Sequence, residues 1–233
     1  LVQSLYEKKL LTYPRTDSQF LTEDMEGTAR QVISIVCRRL PLFIGLSHEP
    51  DIQRVINNAK VTDHHAIIPT VQLDTQDIGE LPQSEQKILS LIGMRLLAAT
   101  GEKHLYDETR ITVLCEGYEF KAKGKTVVQD GWKAIEMRFR ASLDGKEKDE
   151  PEQVLPDLRE GTVLESVTSS VTEHFTSPPK AFTEDTLLSA MEMAGNEGFD
   201  EDTEKKGLGT PATRAGIIEK PVSYTHLRAH ETE

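Results

Sequence analysis

Apolar residues recur at two different periods along this chain, and the points where the period changes decide what it can fold into. From Met25 through Ala29, Val32, Ile33 and Val36 to Leu40 the spacing is three and four, which lays one apolar stripe along an amphipathic helix. Thr22 reads as its N-cap, Glu23 and Asp24 oppose the helix dipole, Arg38 and Arg39 fall in the last turn, and Pro41 stops it. A second helix is predicted from Gln83 to Ala99, with Ile88, Leu91, Ile92, Leu96 and Ala99 on one side. The period then drops to two. Ile111, Val113 and Cys115 share a face, Glu116-Gly117 marks a turn, Tyr118, Phe120 and Ala122 alternate again, and Gly124 breaks the run. Val127-Val128, Trp132 to Phe139 and Thr162 to Phe175 read as further strand-like segments. After Pro178-Pro179 the helical period returns, opened by Thr183, Glu184 and Asp185, with Leu187, Leu188 and Met191 facing inward. The pattern predicts an α+β chain of several domains: helical over 1–105, β-rich over 106–180, and the start of another helical domain over 181–220.

The net charge of −12 is unevenly spread. Residues 141–206 hold 17 Asp/Glu against 6 Lys/Arg, while residues 1–140 are nearly neutral. That excludes a generic cationic nucleic-acid coat and leaves room for a local phosphate site. The longest apolar run, Leu40 to Leu46, is far shorter than the ~20 residues that span a bilayer. Two cysteines, Cys37 and Cys115, exclude a disulfide-dense scaffold and a CxxC zinc module.

Three segments carry candidate chemistry. In the first, Tyr13-Pro14-Arg15-Thr16-Asp17-Ser18, Pro14 keeps Tyr13 out of a helix. A phenol is a nucleophile once its developing phenolate is stabilised. Arg15, two residues on in an extended segment, faces the same side and presents a planar fork for phosphate. The second is Thr62-Asp63-His64-His65-Ala66-Ile67-Ile68-Pro69-Thr70. Adjacent imidazoles diverge, which suits one of them to phosphate contact or proton relay and neither to a shared metal. In the third, Gly207-Leu208-Gly209-Thr210-Pro211-Ala212-Thr213-Arg214, a glycine-rich turn feeds a helix capped by Thr210 with Pro211 first. The GxxxxGK[ST] pattern is absent. Asp200, Glu201 and Asp202 lie in a polar loop and read as solvated surface. All three segments point at phosphate.

Together, LLTYPRTDS, DHHAIIPT and FTEDTLLSAME with GLGTPATRAGIIEK resemble type IA DNA topoisomerases of the topoisomerase III branch, as does the linking stretch from Tyr106 to Trp132. The resemblance covers about residues 1–220. It implies a helical tyrosine domain, a β-rich hinge domain and part of a helical DNA-binding domain. It implies an isomerase that cleaves one DNA strand through a 5′-phosphotyrosyl intermediate, passes a strand and religates without ATP. Tyr13 would be the nucleophile, Arg15 would hold the scissile phosphate, and His64 would contact the phosphate or relay a proton. Asp17 and His65 would support them. Gly209, Thr213 and Arg214 would touch the backbone of the DNA, bound mainly as a single strand. No metal ligand is expected in this chain, because the family binds Mg²⁺ in a Toprim domain that lies upstream of the tyrosine.

The sequence departs from the pattern at both ends. Only 12 residues precede Tyr13, so the Toprim domain is expected to be missing and the chain alone to be inactive. Beyond GIIEK, Pro221 is expected to stop the helix, and residues 221–233 read as translated adapter sequence, which discounts His226 and His230 as metal ligands. The rival reading is a module that only binds single-stranded DNA. A tyrosine recombinase fits less well, since its tyrosine is C-terminal. The expected setting is the cytoplasm, at nucleoid or plasmid DNA, with no membrane partner.

Overall fold

The first apolar stripe forms helix α2 (Glu26–Arg39) in the structure, a computed structural model that describes residues 1–61, 63–143, 154–194 and 207–223. Ala29, Val32, Ile33 and Val36 are buried as the spacing predicts, and the helix ends with Leu40 ahead of Pro41. Its start differs. A 3₁₀ turn (Glu23–Met25) leads in, and the Thr22 side chain makes no capping bond. The Glu23 N–H is taken instead by Asn58 Oδ1 at 2.9 Å. The chain divides into two units, Leu1–Leu164 and Glu165–Glu233.

Two contacts between residues distant in sequence explain how the rest of the first unit packs. Helix α3 (Gln83–Thr100) buries Glu85, Leu89, Gly93, Met94, Leu96 and Leu97. The predicted face is therefore turned: Ile88, Leu91 and Ile92 are only half-buried and Ala99 is exposed. Glu85 is admitted to the interior because Ser4 Oγ donates to it at 2.9 Å and Lys8 Nζ at 2.5 Å. These bonds tie α3 to the short helix α1 (Val2–Glu7). Gly93 is admitted because it lies against Leu40 and Val36 at the end of α2.

Strands β1 (Leu105–Cys115) and β2 (Tyr118–Gln129) form one antiparallel hairpin, with Cys115 opposite Tyr118 and Ile111 opposite Ala122. Glu116 and Gly117 both have positive φ, 49° and 83°, as a two-residue turn between right-twisted strands requires. Gly124 does not break the strand; it pairs with Thr109 and β2 runs on to Gln129. Trp132 to Phe139 is not a strand but helix α4 (Trp132–Ala141). Ile135 and Phe139, four apart, are its buried positions, and Met137 between them is exposed. The alternation of three apolar residues thus had a helical cause. Gly131 (φ 52°) turns the chain into α4, and a side chain there would collide with the Lys103 carbonyl.

In the second unit, residues 165–175 form no strand, and Val167, Val171 and Phe175 are exposed. Strand-forming residues pair only where a neighbouring strand offers its edge, and no described residue of this unit lies in a strand. Helix α5 (Glu184–Met193) opens as predicted, with Thr183 and Thr186 forming a reciprocal cap. Helix α6 (Arg214–Ser223) is not stopped by Pro221 but runs through it. Pro221 lies in the last turn, where its missing N–H leaves the Ile217 carbonyl without that partner. Residues 144–153, 195–206 and 224–233, which include the two acidic loops and both tail histidines, lie outside the described residues.

Candidate active site

The tyrosine segment is irregular, and its shape comes from the segment laid beside it. The Thr12 N–H donates to the Ile68 carbonyl and the Thr70 N–H to the Leu10 carbonyl, both at 3.0 Å, around an antiparallel bridge between Leu11 and Pro69. Further on, the Ala66 N–H donates to the Phe20 carbonyl at 2.9 Å. Threonine side chains fill the interval. Thr12 Oγ1 accepts from the Ile68 N–H at 2.9 Å, and Thr16 Oγ1 donates to the His64 carbonyl at 2.7 Å. Two segments some fifty residues apart in sequence thereby run side by side.

The consequence is a contact between the two candidate catalytic side chains. The Tyr13 and His64 rings lie 4.5 Å apart between centroids, tilted by 52°. On another side Tyr6 meets Tyr13 edge-on, at 5.3 Å and 75°. Tyr13 is half-buried, so its ring is held while part of its surface stays open. The histidines diverge as expected: the His65 Nδ1 lies 2.8 Å from the Ala66 carbonyl and its ring borders a groove of about 560 Å³. Tyr6, Lys9, Thr12, Tyr13 and Gln72 also line that groove.

Arg15 and Asp17 are both exposed, and among the described residues neither forms an ion pair. The turn is held by its hydroxyls instead. Ser18 N–H donates to Thr16 Oγ1 at 3.0 Å, and Ser18 Oγ donates to the Lys60 carbonyl at 2.8 Å. Arg15 is left with its full set of donors available to a ligand.

The glycine-rich turn belongs to the second unit and is described on its own. The Leu208 N–H donates to the Met191 carbonyl at 2.7 Å, which seats the turn on the end of α5. Gly209 has φ 71°. The Thr210 carbonyl accepts from the Arg214 N–H at 3.0 Å and its N–H is capped by Thr213 Oγ1 at 2.9 Å, but residues 211–213 form a turn and the helix starts at Arg214, not at Pro211 as expected. Arg214 Nε donates to the Leu208 carbonyl at 3.1 Å, so part of its guanidinium is committed to the turn.

Sequence reasoning missed two side chains at this site, Tyr6 and Lys9. Neither falls in a motif; α1 places both, and only the hydrophobic Leu5 and Leu10 around them signalled a packed turn.

Comparison with known proteins adds to this geometry. A family model described as DNA topoisomerase matches residues 1–232. The chain belongs to the type IA DNA topoisomerase family. The matched span takes in the tail that the sequence reading set apart. DNA topoisomerase 3 of Bacillus subtilis is 40% identical over 232 residues, covering 94% of this chain and 31% of that protein. DNA topoisomerase 3 of Vibrio cholerae is 34% identical, covering 94% of this chain and 34% of its own length. The chain thus spans about a third of the curated relatives it matches, on the topoisomerase III branch of the family. The fold is similar to that of full-length topoisomerase I from Thermotoga maritima, with a TM-score of 0.55 at 20% identity over 92% of this chain and 30% of that one. No helix among the described residues is long and apolar enough to cross a membrane.

Proposed function

We propose that this chain carries the nucleophile half of a topoisomerase III-like reaction on single-stranded DNA. The observation that carries the reading is the packing of Tyr13 against His64, with the free fork of Arg15 two residues away. Tyr13 Oη attacks a backbone phosphorus and forms a phosphotyrosyl ester on the 5′ side. The P–O3′ bond breaks, the phenol gives up its proton, and the 3′ oxygen leaves as a hydroxyl. One ester is exchanged for another, so the bond energy is kept and ATP is not consumed. A strand passes, and the 3′-hydroxyl reverses the step.

Arg15 binds the non-bridging oxygens and opposes the charge that builds in the transition state; removing such a donor costs about 10²–10³ in rate. His64 holds the Tyr13 ring and contacts the phosphate or relays its proton. Asp17 and His65 shape the surrounding loop and groove. Gly209, Thr213 and Arg214 hold backbone phosphates at the second unit's turn. The division into a tyrosine domain (1–105), a hinge domain (106–180) and a further DNA-binding domain (181–220) follows the same reading, as does action in the cytoplasm on nucleoid or plasmid DNA.

The family implies Mg²⁺. Among the described residues no three His, Cys, Asp or Glu side chains gather where they could share a metal ion. These residues do not fit such a site, and no step above passes through one. We assign the Mg²⁺ and the acid for the 3′ oxygen to the family's Toprim domain.

The test is complementation. The chain, a Toprim domain from a related topoisomerase, Mg²⁺ and an end-labelled single strand should yield a denaturation-resistant adduct on the 5′ side of the break, absent in Tyr13→Phe. An adduct that persists in Tyr13→Phe refutes the site, and one on a 3′ phosphate indicates recombinase chemistry. Binding without an adduct, from folded protein, leaves the chain as a single-strand-binding module.

A further inference from the structure

Lys9 occupies a backbone position that glycine usually fills. Its φ is 61°, in the left-handed region. Helix α1 ends there in a paired-bond turn, the Lys9 N–H donating to the Tyr6 carbonyl at 2.8 Å and the Leu10 N–H to the Leu5 carbonyl at 2.9 Å. Leu5 and Leu10, both fully buried, supply the hydrophobic contact that accompanies such a turn. Thr70 Oγ1 donates to the Lys9 carbonyl and fixes the peptide further. A side chain in this conformation is strained, and strain that persists directs attention to what the side chain does.

Lys9 lines the groove that also borders Tyr13, Thr12 and His65. Among the described residues it has no ionic partner. Its neighbour Lys8 is committed to Glu85 at 2.5 Å, and Glu7, the carboxylate on the same groove, accepts from Gln3 at 3.0 Å. The turn thus sets one uncommitted cation beside the nucleophile. We infer that Lys9 is a backbone-phosphate contact for the single strand engaged by Tyr13, kept in a glycine position because its ammonium is needed in that groove. The inference rests on the DNA reading above and adds a residue to it.

The experiment uses the chain as it stands, a fluorescent oligo(dT) strand, and titrations at several salt concentrations alongside thermal melts. Lys9→Gly should weaken binding about three- to tenfold at low salt and flatten the salt slope by about 0.7, the share of one single-strand phosphate contact. The same variant should melt about 2–4 °C higher, because the strain is relieved. Lys9→Gln should lose the same binding without the gain in melting temperature, and Lys9→Arg should keep the affinity. Lys87→Gln, on the exposed side of α3, should leave the slope unchanged. If Lys9→Gly is folded and its affinity and slope match the parent, or if Lys87→Gln weakens binding equally, the assignment to Lys9 is wrong while the DNA reading stands. If the unsubstituted chain binds no strand at low salt, both fall together.

Discussion

Gly93→Ala and Gly27→Ala add the same methyl group to two helices of one unit and should move its stability in opposite directions. At Gly93 the new Cβ would sit 2.7 Å from Leu40 Cδ1, 3.3 Å from Val36 Cγ1 and 3.7 Å from Phe43 Cε2. Carbon atoms pack best at about 3.5–4.0 Å. Leu40 is fully buried, as are Val36 and Phe43, so its methyl has no open space to swing into. Replacing a helix-interior glycine gains about 1 kcal/mol of helix propensity. Forcing a methyl into a filled core costs about 1–3 kcal/mol. The core term wins by about 1 kcal/mol, which lowers the melting temperature of a unit this size by about 2–4 °C. At Gly27, on the exposed side of α2, nothing lies within 4 Å of the added carbon. Only the propensity gain remains there, about 0.5–1 kcal/mol. Thermal melts followed by circular dichroism, with denaturant titrations to confirm an unchanged slope, separate the pair. A Gly93→Ala variant as stable as Gly27→Ala would show that Leu40 yields freely and that the α2–α3 approach is not close-packed.

Hydrogen bonds from the Lys8 ammonium, and then from the Ser4 hydroxyl, hold the Glu85 carboxyl below the usual carboxylate range. An acid that binds its proton more weakly when folded adds stability above its unfolded pKa of about 4.3 and loses it as pH falls through the folded value. Melting temperature should therefore fall below about pH 5, and Glu85→Gln should flatten that fall while lowering stability at neutral pH. His48 is shifted in the same direction by a different cause: burial lowers its pKa, opposed by Glu102. The unfolded chain takes that proton at about pH 6.5 and the folded chain resists it, so stability erodes just below pH 6.5, a segment of the profile that His48→Gln should remove. Cys115 is exposed, whereas Cys37 is half-buried and burial pushes its thiol up. A thiol reagent at neutral pH should label the protein in two phases, with Cys115→Ser abolishing the fast one.

What the sequence disclosed followed from how local each signal was. The α2 stripe and the Glu116-Gly117 turn are decided within a few residues, and both formed as read. Trp132 to Phe139 misled because Ile135, Met137 and Phe139 alternate, while the helix uses only Ile135 and Phe139 to pack. The face of α3 turned because Glu85 could enter the interior, which depended on Lys8 and Ser4, 77 and 81 residues away. Tyr13, Arg15 and His64 were each legible as residue types suited to phosphate. The contact of Tyr13 with His64 was not, since it rests on main-chain bonds from Thr12 and Thr70 that no periodicity encodes. Lys9 stayed hidden because a left-handed residue is a property of backbone, and lysine gives no sign of it.

The span from Leu11 to Leu21 is fastened at both ends: to Ile68, Pro69 and Thr70 on one side, and through Leu21 to Val55 and Asn57 on the other. In the proposed reaction, a DNA strand joined to Tyr13 would transmit tension into this span. A segment tethered once would peel, one bond after another, from its free end. Here the load is shared by two end anchorages, seated on the fully buried Leu11 and Leu21, and by the Thr16 and Ser18 hydroxyl bonds between them. Tyr13 therefore sits in a span tethered along its length rather than on a dangling arm, and a pull on it must shear several bonds together before its ring is displaced from His64.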